Sequence, residues 1–194
     1  VPAPVALRQT QREITRMGHI AADNLQRALD CFFHYNSAKA ASVRSHEESV
    51  NILNHLIADA MVDLRSLDLS PENMRRVSMM TIAVTDIERL SDHAENIVEY
   101  IEQMNTKKAE MSDAARKELI DMSKDAMDAV YMALDIFEKD DYNKLDQIEI
   151  LEQHVDDHEK DLINNHIERI MNSLCNPLSA VIFSDLVTDL ERCS

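Results

Sequence analysis

The chain contains one glycine, no tryptophan, four prolines and only 4% aromatic residues, and each scarcity removes a class of structure. Tight hairpins, bulges and phosphate-cradling loops all draw on glycine, so a β protein and a glycine-loop nucleotide enzyme are both excluded. No apolar run reaches eighteen residues, and neither a secretory signal nor a transit segment is evident. The three cysteines (Cys31, Cys175 and Cys193) are odd in number and lack a C-x-x-C, which fits a reducing cytoplasm better than a disulfide framework or a zinc site. Positive charge is scarce as well. With 20 Lys and Arg against 36 Asp and Glu, the net charge is −16, and such a surface repels phosphate backbones, so nucleic acid is not an expected partner.

What is present suits helices. Hydrophobic residues make up 45% of the chain and include 11 methionines, a composition that fills the cores of long packed helices. The 194 residues can bury one sizeable core, or two small ones if the chain is duplicated. The fold class read from these features is all-α. Breaker signals predict six helices: from Val5 to about Ala41, from the Ser45-His46-Glu47-Glu48 capping box to about Leu67, and from Pro71 after Ser70 to about Met104. After the linker Asn105-Thr106-Lys107-Lys108, a fourth runs from Ser112-Asp113 to near Lys139. The fifth runs from Asp140-Asp141 to about Ser173, and the sixth from Asn176-Pro177 to the last residue. Val1-Pro2-Ala3-Pro4 reads as an extended leader that becomes helical only after the second proline.

Self-comparison indicates an internal duplication. At an offset of 105, Arg12-Glu13-Ile14-Thr15-Arg16-Met17 lies over Lys117-Glu118-Leu119-Ile120-Asp121-Met122. At an offset of 103, Val84-Thr85-Asp86-Ile87-Glu88-Arg89-Leu90-Ser91 lies over Val187-Thr188-Asp189-Leu190-Glu191-Arg192-Cys193-Ser194. The expected organisation is a linker (1–4), a first three-helix repeat (5–105) and a second (106–194) that is truncated in its last helix.

The third helix carries a polar stripe of Thr81, Thr85, Glu88 and Asp92 at spacings of four, three and four, with Ser184, Thr188 and Glu191 as its counterpart in the second repeat. In the fifth helix, Glu152 and Asp156 repeat the E-x-x-x-D spacing, and Glu152 is expected within the apolar arc of Leu151, Val155, Leu162 and Ile170. Two such pairs on facing helices would give a hard cation four oxygen ligands. The alternative is pairing with arginines such as Arg75, Arg76, Arg89 or Arg192. His154 and His158 share a helix face, but no third ligand is visible, so solvated or interhelical histidines are the plainer reading. No histidine follows Asp or Glu by three residues, which argues against a carboxylate-bridged di-iron enzyme, and no Ser or Cys has an oriented His and acid. Enzymatic activity is not expected.

The segment from Thr85 to Ile97, TDIERLSDHAENI, resembles the third-helix signature of the PhoU family, close to E-R-[IL]-[AGS]-D-[HY]-A-x-N-I, and the two three-helix repeats are similar to PhoU architecture. The leader followed by Arg12-Glu13-Ile14-x-Arg16-Met17 resembles the segment joining the membrane domain of bacterial sodium/phosphate cotransporters to their cytoplasmic PhoU-like domain. This resemblance implies a regulatory domain on the cytoplasmic face of the cell membrane that modulates phosphate transport, with the membrane transporter domain upstream in the same chain as its partner. A homo-oligomer is a further expectation. A free-standing PhoU-like adaptor is the first alternative and a metal-dependent helical enzyme the second.

Some PhoU-like proteins hold iron or other metals through E-x-x-x-D pairs. Carried over, the resemblance makes Glu88, Asp92, Glu152, Asp156 and Glu191 metal ligands, with iron or another divalent metal as cofactor. The partner of Glu47 in the first repeat is Asn51, which removes one anionic ligand. Arg8, Arg12 and Arg16 form a basic helix face, expected to lie near the membrane.

Overall fold

The computed structural model describes residues 2–171 and 181–188, and among these there is no strand. Five long helices are present: α1 (Ala3–Phe33), α2 (Ser37–Arg65), α3 (Pro71–Lys107), α4 (Asp113–Lys139) and α5 (Leu145–Met171), with a 3-10 turn at Tyr142–Lys144 and further helical residues at 181–188. Glu191 and the expected start of a sixth helix at Asn176-Pro177 lie outside the described residues.

The helix starts at Ser70-Pro71 and Ser112-Asp113 fall where the capping residues place them. The Ser70 hydroxyl accepts from the Asn73 N–H and the Ser112 hydroxyl from the Ala115 N–H, each at 3.2 Å. Three boundaries differ from the sequence reading. The first helix starts at Ala3, because Pro4 sits in the first turn, where a helix needs no donor N–H. The α1–α2 break comes at His34-Tyr35-Asn36, well before Ser45. Asn36 caps α2 by accepting from the Lys39 N–H at 3.2 Å, which leaves Ser45 and Glu47 inside the helix. Without glycines at the chain reversals, α3 and α4 end on left-handed non-glycine residues, Lys108 (φ 50°) and Asp140 (φ 51°). Asp140 therefore terminates α4 instead of opening the next helix.

In the packing, α1 touches α2, α3 and α4, α2 runs against α3, and α5 packs on α4. The duplication is visible in the core. Ile14 and Leu119, Met17 and Met122, Ala21 and Ala126, Leu25 and Val130, and Leu29 and Leu134 are all buried at matching positions of α1 and α4. The same holds for Val50 with Val155 and for Ile57 with Leu162. Even a minor feature repeats. The Thr85 hydroxyl donates to the Thr81 carbonyl at 3.2 Å, and Thr188 donates to Ser184 at 3.1 Å. Gly18 marks a close approach of three helices, because a Cβ there would meet Leu134 of α4 at 2.5 Å and Ile87 of α3 at 3.1 Å.

Candidate functional site

The polar stripe of α3 faces α2. On α2, Glu47, Asn51 and Asn54 follow at spacings of four and three, and on the antiparallel α3, Glu88, Asp92 and Glu95 do the same. The two series meet end to end. Asn54 donates to the Glu88 carboxylate, while at the other end Glu47 hydrogen-bonds Glu95 with Asp92 nearby. The ladder extends in both directions, through Arg65 donating to the Thr81 hydroxyl at 2.8 Å and through Arg44 pairing with Glu102.

The electrostatic centre of this face is Glu47. Burial first, then the hydrogen bond with Glu95 and the charges of Glu95 and Asp92, push its carboxyl up to about 7, against the opposing pull of Arg44. Near neutral pH, Glu47 as an acid donates to Glu95, so a proton moderates the crowding of three carboxylates. Neither sequence reading of Glu88 anticipated its contact, since its partner is an amide and not an arginine. Arg89 instead lies 3.9 Å from Asp86 on its own helix. Asn54 and Glu95 were missed by the sequence reading. The signal was available in the four-three spacing of α2, which mirrors that of α3.

Of the other predicted ligands, Glu152 and Asp156 lie on α5. Glu152 is exposed and not enclosed in the apolar arc, because the buried line of α5 runs through Val155 and Leu162. Burial at its base, and then the charges of Asp156 and Glu149, still raise its carboxyl above the usual range. Glu152 borders an apolar groove of about 450 Å³ between α3 and the α4–α5 pair, along with Ile82, Leu90, His93, Leu134 and Leu145. The charges acting on it, Asp156 and Glu149, come from its own helix. Among the described residues, no group of three or more His, Cys, Asp or Glu is disposed to hold a metal ion. Of the histidine pair, His158 faces Asp125 of α4 at 3.4 Å while His154 is exposed.

The basic face divides. Arg16 pairs with Glu13 at 2.9 Å on its own helix, whereas Arg8 and Arg12 line a hollow with Arg76 of α3.

Residues 14–101, spanning most of α1 through α3, match the family model of the PhoU domain. In structure, the chain is similar to PhoU from Pseudomonas aeruginosa, with a TM-score of 0.91 at 18% identity, covering 99% of this chain and 91% of that one. It is also similar to the phosphate transport system regulatory protein PhoU from Streptococcus pneumoniae, with a TM-score of 0.86 at 17% identity, covering 99% and 89%. A PhoU-like protein from Shewanella oneidensis gives a TM-score of 0.62 at 12% identity, covering 99% and 92%. No curated protein sequence matches significantly.

Proposed function

Starting from a PhoU-like chain, with a PhoU domain in residues 14–101 and the PhoU fold, we propose that it acts as a non-enzymatic phosphate-signalling adaptor that adjusts a phosphate transporter. The observation that carries this reading is the likeness of fold to solved PhoU proteins, one of them described as a phosphate transport system regulatory protein. The cotransporter setting rests on the leader, the Arg12-Glu13-Ile14-x-Arg16-Met17 match and the basic face of Arg8, Arg12 and Arg16, so the adaptor is the better supported of the two. No helix among the described residues is long and apolar enough to cross a membrane.

The mechanism uses this chain's own groups. At one end of the α2–α3 face, Glu47, Glu95 and Asp92 are crowded around one proton at Glu47, and loss of that proton raises the repulsion between the two helices there. A partner that neutralises the face would therefore be favoured over water. The test is phosphate uptake in cells lacking the chain, compared with cells expressing it, across a range of external phosphate. A difference that tracks external phosphate is expected, and identical uptake in both strains would sink the adaptor reading.

The metal expectation stands as a separate proposal. The donors suit a hard cation in chemistry, being carboxylate oxygens, but among the described residues no three of them are grouped to hold one, so no step above is routed through one. Elemental analysis of protein purified without a His-tag, alongside Glu88→Gln, decides the matter. Iron, manganese or zinc above background that falls in the variant supports a site, and background content in both retires it.

A further inference from the structure

Two adjoining hollows of about 440 and 450 Å³ lie where α1, α3 and the end of α4 meet, and they share Gln11, Arg76 and Asp140. Arg8 and Arg12 contribute from α1, one turn apart, and Arg75 and Arg76 from the first turns of α3. In a chain with 36 carboxylates, none of these four arginines makes an ion pair among the described residues, whereas Arg16, Arg44 and Arg89 do. The acids lining the same hollows are Glu72, Glu138 and Asp140, and each has another attachment. Glu138 lies 3.4 Å from His19, Asp140 accepts from Gln11 at 3.4 Å, and Glu72 occupies the first turn of α3, where the helix dipole favours a negative charge.

The floor of the notch is organised. Arg76 donates to the Gln11 side-chain oxygen Oε1 at 2.9 Å, and the Gln11 side-chain Nε2 donates to the Phe137 backbone carbonyl at 3.1 Å, which ties all three helices at this point. Met79, Met80 and Phe137 form an apolar wall that weakens solvent screening beside the guanidinium groups. Planar guanidinium forks match the oxygen geometry of phosphate better than any other side chain. We propose that this notch binds a phosphoryl anion, clamped by Arg8, Arg12, Arg75 and Arg76. The ligand chemistry is a tetrahedral phosphate carrying one or two negative charges, either free inorganic phosphate or the headgroup of an anionic lipid.

The inference does not rest on the adaptor reading, and the experiment separates the two. Calorimetry with inorganic phosphate and co-sedimentation with phosphatidylglycerol vesicles, against phosphatidylcholine vesicles, are run on the whole chain. The same measurements are made on Arg12→Gln/Arg75→Gln, on Arg12→Lys/Arg75→Lys, and on Arg16→Gln as the control outside the notch. Binding of phosphate or of the anionic vesicles is expected, and which of them binds identifies the source. The Gln pair should weaken it at least tenfold, the Lys pair should weaken it less, and Arg16→Gln should leave it unchanged. All three variants change exposed side chains, so thermal melts should match the parent. Binding of neither probe, equal binding to phosphatidylcholine, or an equal loss in Arg16→Gln would overturn the site. Anion binding without any effect on uptake would count against the adaptor alone.

Discussion

Glu47 loses part of its hydration while facing Glu95 and Asp92, so its carboxyl is held up to about 7 against an ordinary value of 4.5. The folded chain then binds more protons than the unfolded chain between those two values, and stability falls as pH rises through that window. Full solvation of the neighbours would remove most of the effect, and for a partly exposed group a contribution of about 1 kcal/mol is the appropriate scale. Glu47→Gln should therefore raise the melting temperature at pH 8, change it little at pH 4, and flatten the pH dependence between them, as followed by circular dichroism. A parent and variant with parallel profiles would show that the proton resides elsewhere. Asp135 shows the opposite case. Hydrogen bonds from Lys139 and Lys144 hold its carboxyl below the usual range, so any stabilisation from it is present at neutral pH and is lost only as pH falls through that depressed value.

At the scale of the helix, the α1–α2 reversal depends on one short polar side chain. Asn36 satisfies an N–H of the first turn of α2, and immediately before it the chain leaves the helix at His34 (φ −135°). Asn36→Ala should cost about 1 kcal/mol, read from denaturant unfolding, while Ser45→Ala should change stability by less than about 0.5 kcal/mol because Ser45 lies inside α2. The reverse ranking would restore the Ser45 boundary. The sequence favoured Ser45 because S-H-E-E has the capping-box form. Asn36 prevailed because Cys31, at the end of α1, is buried and its thiol reaches the Asn36 carbonyl at 3.5 Å, which fixes the turn there.

For the molecule as a whole, the two halves are joined through α1 and α4, with Gly18 of α1 packed closely against Leu134 of α4. Gly18→Ala gains about 1 kcal/mol of helix propensity but must displace the ends of the Leu134 and Ile87 side chains, so the two effects should nearly cancel. Gly18→Leu cannot be relieved in that way, because Ile87 closes the other side at 3.1 Å. Overpacking should cost about 1–3 kcal/mol, measured by thermal melt, and should loosen both halves together. Unchanged stability in Gly18→Leu would mean that α1 and α4 are not held at this distance.

Helix number, the duplication, and the starts at Ser70 and Ser112 were legible in the residues, because capping, proline placement and apolar period act over a few positions of one chain. The resemblance carried by TDIERLSDHAENI reached the fold for the same reason, since those polar identities recur at fixed spacing on one helix face. Which partner each stripe residue meets was a matter for the tertiary structure. The sequence left Glu88 to an arginine or a metal, and that the Asn54 amide lies against it came only with the packing of α2. The wheel placed Glu152 in an apolar arc, but whether that arc is covered depends on helices distant in sequence, and the groove beside it is open. Arg75 and Arg76 joined Arg8 and Arg12 only through the α1–α3 crossing. Periodicity orients a side chain about its own helix axis, whereas the packing of separate helices decides what it faces.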